Sequence, residues 1–70
     1  MFLVIELQKK GNQLAHLETV CSTSAEAESK FHTILSAAAV SAVEVHSAVL
    51  MDDKGFVYRT EFYEHGEAAE

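Results

Sequence analysis

Residues 23–49 constrain the fold most, because a single helical period there runs straight into a single β-branched segment. Residues 23–41 read TSAEAESKFHTILSAAAVS and residues 43–51 read VEVHSAVLM. Ala27, Phe31, Ile34, Leu35 and Ala38 recur at the spacing of one helical face. Thr23 and Glu26 form a T-x-x-E capping box: the hydroxyl accepts from the N–H of Glu26, and the carboxylate reaches back to the N–H of Thr23. The period is lost after Ala38, so the helix should end near Ala39 or Val40.

The flanks alternate with period two instead. In residues 1–8, Leu3, Ile5 and Leu7 point one way and Phe2, Val4 and Glu6 the other. A strand apolar on both sides belongs in the middle of a sheet. Lys9-Lys10-Gly11-Asn12 reads as a turn. Residues 14–21 read as an edge strand, with Ala15, Leu17, Thr19 and Cys21 opposite Leu14, His16, Glu18 and Val20. Residues 43–51 and 56–64 make a third and a fourth strand around a turn at Asp52-Asp53-Lys54-Gly55. A four-residue turn would pair Met51 with Phe56, Val49 with Tyr58, Ser47 with Thr60 and Val45 with Phe62. A three-residue turn with a glycine bulge at Gly55 would shift that pairing by one residue.

The expected fold is α+β: a two-layer ββαββ domain over residues 1–65, with a four-stranded antiparallel sheet in the order 2-1-3-4 and one helix on one face. Residues 66–70 should form a flexible acidic tail. Leu3, Ile5 and Leu7, with Val45, Val49, Phe56 and Phe62, are expected beneath the helix. The uncovered face would then carry Phe2, Val4, His46, Leu50, Val57, Arg59, Glu61 and Tyr63. Those eight are the interface candidates, with His46 opposite Glu61. One helix cannot cover both faces, and hydrophobic residues make up 49% of the chain. A homodimer centred on Val4 and Leu50 is the expected consequence.

Five Lys and Arg stand against eleven Asp and Glu, giving a formal charge of −6. The basic footprint of a nucleic-acid binder is missing. A single cysteine, Cys21, excludes an internal disulfide and points to the cytoplasm. The opening MFLVIEL has too short an apolar run for a membrane span and no signal-peptide pattern. His16, His32, His46 and His65 come from four different elements without metal-ligand spacing, so no metal and no cofactor is expected. His46 with Glu61 and Arg59 could orient a base, but a cross-strand charge pair is common and contributes only ~0.2–1 kcal/mol. No catalytic residue is assigned. Cys21, just before a helix N-terminus, reads as a small buried residue.

The stretch AESKFHTILSAAAVSAVEVHSAVLMDDKG, residues 27–55, resembles small uncharacterised proteins of Firmicutes, including gut bacteria and their mobile elements. The resemblance implies a bacterial, cytoplasmic protein and carries over no functional residue. Three functions are compatible with these features. The first is a protein-interaction or oligomerisation module, as a homodimer or with a further protein partner. The second is a small enzyme or ligand-binding protein with its site at a subunit interface. The third is an acidic decoy of nucleic acid, working by charge complementarity to a basic surface.

Overall fold

The computed structural model describes residues 1–65; the tail expected at 66–70 lies outside the described residues. Strands β1 (Phe2–Lys10) and β2 (Gln13–Cys21) precede helix α1 (Ser24–Ala39), and strands β3 (Val45–Asp52) and β4 (Val57–Glu64) follow it. The sheet is antiparallel throughout, in the order β2-β1-β3-β4. This is the ββαββ arrangement read from the sequence, with β1 inside. Among the described residues no helix is long and apolar enough to cross a membrane.

Each connection has a local cause. Between Lys10 and Gln13 a two-residue loop places Gly11 at φ +62, and Asn12 stays at negative φ, as a type II′ hairpin requires. The Gly11 N–H then donates to Glu44 Oε1 at 2.9 Å, tying this turn to the approach of β3. At the helix start, Glu26 N–H donates to Thr23 Oγ1 at 3.2 Å. The Glu26 carboxylate accepts from Ser22 N–H at 3.1 Å, one residue earlier than the capping box predicts. Val40 closes the helix at its C-terminus, its N–H donating to the Ala37 carbonyl at 3.3 Å while Ser41 N–H donates to the Ala38 carbonyl at 3.2 Å.

The β3–β4 turn takes the three-residue form. Gly55 N–H donates to Asp52 C=O at 3.2 Å, Asp52 N–H donates to Phe56 C=O at 2.9 Å, and Gly55 sits at φ +94. The Asp52 carboxylate holds the turn by accepting from Lys54 N–H at 2.8 Å, Phe56 N–H at 3.0 Å and Tyr58 Oη at 3.2 Å. A second irregularity follows, because Met51 pairs with Val57 but Leu50 pairs with Arg59. Tyr58 is the extra residue. The expected four-residue pairing is therefore not formed. Beyond Tyr58 the two shifts add to an even number, so residues 59–64 keep the faces that the alternation assigns to them.

The helix lies on the opposite face from the one expected. Val4, Cys21, Ala48 and Leu50 of the sheet form one core with Ala27, Phe31 and Ile34 of α1, with Phe2 and Leu35 packed against it. The reason is topological. β2 and β3 both run antiparallel to β1, so they are parallel to each other, and α1 is a crossover between them. The hand of such crossovers is almost invariant, and it selects the covered face irrespective of which side is more apolar. Side-chain size agrees with the outcome: Ala48 is fully buried at the sheet centre, leaving volume for Phe31, the largest fully buried side chain. Arg59 closes the layer from β4, its guanidinium 2.9 Å from Glu28 Oε1 and 5.0 Å from the centre of the Phe31 ring.

Candidate functional site

Pairing brings sixteen side chains onto the helix-free face as four rows across the sheet. The first row is Val20, Leu3, Met51 and Val57; the second is Glu18, Ile5, Val49 and Thr60. The third is His16, Leu7, Ser47 and Phe62; the fourth is Leu14, Lys9, Val45 and Glu64. Leu3, Ile5, Leu7, Val49 and Met51 hold the centre on β1 and β3. They are half-buried by their in-sheet neighbours alone. Leu14 and Val20 are each 65% exposed and Phe62 is 58% exposed. Formal charges occur only at the perimeter, at Lys9, Glu18 and Glu64. With strands ~4.8 Å apart and same-face residues ~6.7 Å apart, the face covers roughly 500 Å² in plan. The face is apolar apart from Ser47 near its middle and Lys9, His16, Glu18, Thr60 and Glu64 on its perimeter, and an apolar patch of this size marks a protein interface.

Most of the interface candidates read from the sequence lie elsewhere. Val4 is 0% exposed, Leu50 3% and His46 4%, all beneath α1, and Phe2 packs against the same core. Arg59, Glu61 and Tyr63 are on the helix side of β4, opposite Leu50, Ala48 and His46. Only Val57 reaches the helix-free face, because the three-residue turn sets it opposite Met51 rather than Leu50, and the compensating shift at Tyr58 comes after it. Val57 apart, alternation groups these interface candidates on one face correctly; the side that the helix covers is inverted. A dimer centred on Val4 and Leu50 is thereby excluded, since both are core.

His46 does not meet Glu61. It is bonded to Glu6 instead, Nε2 to Oε2 at 2.6 Å, and Gln8 Nε2 donates to the same carboxylate oxygen at 3.0 Å. Glu6 and Gln8 were not singled out from the sequence. Their signal was two polar side chains at alternate positions of an apolar central strand, on the face that carries Val4. Burial pushes the Glu6 carboxyl up; hydrogen bonds from His46 and Gln8, with the charges of His46 and Lys30, outweigh it and hold the group below its ordinary 4.5. Nε2 of His46 is the donor to the ionised carboxylate, and Nδ1 is buried with no hydrogen-bond partner. A base would need one ring nitrogen open to a substrate. Here one nitrogen is occupied and the other is enclosed, so the cluster works as a polar strap within the core.

The remaining histidines are held locally. His16 Nδ1 is 2.8 Å from Glu18 Oε2, His32 Nε2 is 3.5 Å from Glu28 Oε1, and His65 Nε2 donates to the Ala38 carbonyl at 3.0 Å near the helix C-terminus. Cys21 is unpaired and buried at the end of β2. Among the described residues no three His, Cys, Asp or Glu side chains group closely enough to hold a metal ion. A shallow groove of about 430 Å³ at the end of the sheet is lined by Gln8, Lys10, Gln13, Leu14, Ala15 and Val43, a set without carboxylate, imidazole or thiol. The chain matches no protein-family model, no curated protein and no solved structure.

Proposed function

We propose that the chain is a self-associating interaction module whose working surface is the helix-free face of the sheet, packed against the same face of a second copy. The observation that carries this reading is the central block of Leu3, Ile5, Leu7, Val49 and Met51, which no element among the described residues covers. Two such faces would remove about 1,000 Å² in total from water, taking the plan area of each, which reaches the lower bound for a specific interface. Sheets stack in this way at ~10 Å, with interdigitated side chains. The charge distribution is compatible. Among the acidic residues on the described strands, only Glu18 and Glu64 stand on this face, and both are at its edge. A buried, unpaired Cys21 suits a reducing cytoplasm. The resemblance of residues 27–55 to small Firmicutes proteins supports a bacterial setting.

Ile5→Lys tests the reading. It puts a charge at the centre of the proposed contact, where no partner can pair it. The mass from light scattering should fall by half, with the far-ultraviolet circular dichroism retained. Val49→Lys should act alike. An unchanged mass in both variants would refute the face contact.

A further inference from the structure

The two edges of the sheet are built differently. Edge strands carry a row of unpaired N–H and C=O groups, which proteins guard with charges, Pro, bulges or short length. β4 is guarded: it has the irregularity at Tyr58, and Arg59, Glu61 and Glu64 along it. β2 is guarded far less: it reads QLAHLETVC, has Glu18 as its single formal charge and no Lys, Arg or Pro, and pairs with β1 in unbroken register from Gln13 to Cys21.

The hairpin determines which backbone groups of β2 are free. A two-residue loop makes Lys10 and Gln13 a hydrogen-bonded pair, and such pairs alternate along an antiparallel ladder. Gln13, Ala15, Leu17, Thr19 and Cys21 therefore bond to β1. The N–H and C=O groups of Leu14, His16, Glu18 and Val20 point to the open edge.

That edge is complementary to itself. Laid antiparallel to a second copy about Leu17, β2 sets His16 against Glu18 and Leu14 against Val20, each twice. Leu17 meets its own equivalent on the helix side. The residues brought together are those with outward backbone groups, so about eight backbone hydrogen bonds form across the pair. His16 and Glu18 already touch within one strand at 2.8 Å. In the pair each carboxylate would stand between its own imidazole and the partner copy's. We propose that two copies join β2 to β2 in this register, forming a continuous eight-stranded sheet with both helices on one side. The two-fold axis is perpendicular to the sheet, as an isologous contact requires. The contact uses a surface separate from the helix-free face and leaves that face doubled in width.

The test is mass by sedimentation velocity, with amide exchange. The wild type, making both contacts, should be a tetramer. His16→Glu places like charges opposite each other twice per contact and should reduce it to a dimer; the swap His16→Glu with Glu18→His restores complementarity and should restore the tetramer. Ile5→Lys, which removes only the face contact, should also give a dimer, and His16→Glu with Ile5→Lys a monomer. In Ile5→Lys the amides of Leu14, His16, Glu18 and Val20 should exchange slowly. If Ile5→Lys is a monomer, or those amides exchange fast while their neighbours are protected, the edge pairing is overturned and the face contact stands. If His16→Glu is a monomer, the face contact fails and the edge pairing stands. An unchanged mass on His16→Glu also overturns the edge pairing.

Discussion

Removal of Glu6 should reveal how much the fold depends on the polar strap beneath α1. In Glu6→Ala, His46 Nε2 loses its partner at 2.6 Å, and Nδ1 has none to begin with. Gln8 Nε2, 3.5 Å away, is too distant to replace the carboxylate. A buried donor left unsatisfied costs about 1–3 kcal/mol. For a domain of this size, a loss of about 2 kcal/mol lowers Tm by ~8–16 °C. His46→Ala should cost a similar amount, because it strands the carboxylate and opens a cavity. The double variant Glu6→Leu with His46→Phe removes both polar groups and refills the space, and it should lie near the wild type. Urea denaturation of the two single variants together with Glu6→Ala/His46→Ala gives the coupling, expected at about 1–2 kcal/mol with m unchanged. Acid provides a second readout. The folded Glu6 pKa lies below its ordinary value, so its contribution is complete above about pH 4.5 and is lost as pH falls through the folded pKa. Glu6→Gln should flatten that part of the stability curve. Additive single variants, or an acid limb identical in Glu6→Gln, would refute the role assigned to the strap.

Two more substitutions probe the layer and the turn. Ala38 is fully buried and Ala37 exposed, so Ala38→Leu should destabilise by about 1–3 kcal/mol through overpacking while Ala37→Leu changes little; equal denaturant midpoints would contradict the helical phase. Gly55 has open space around a Cβ but sits at φ +94, so Gly55→Ala should lose about 1–2 kcal/mol to backbone strain alone, read as a lower Tm at constant m.

Local chemistry was legible in the sequence, since it depends on residues within a few positions of each other. Thr23 and Glu26 mark the helix start, Ala27 to Ala38 its buried stripe, and Gly11 and Gly55 the hairpin turns. Strict alternation sorted the side chains of β1 and β3 into their two faces, and a strand apolar on both sides placed β1 inside. Three features required the assembled sheet. The register of β4 depends on Tyr58 as an extra residue, and no residue type announces such an irregularity. The partner of His46 is Glu6, forty positions away in sequence and adjacent only because β1 and β3 pair. Above all, the side covered by α1 was decided by the chain's path from β2 over β1 to β3. Chirality of the crossover is a property of three strands and a helix together, and alternation within one strand is blind to it. Both faces of β1 and β3 are apolar enough to bury, so hydrophobicity could name two candidate cores, and only the topology could choose between them.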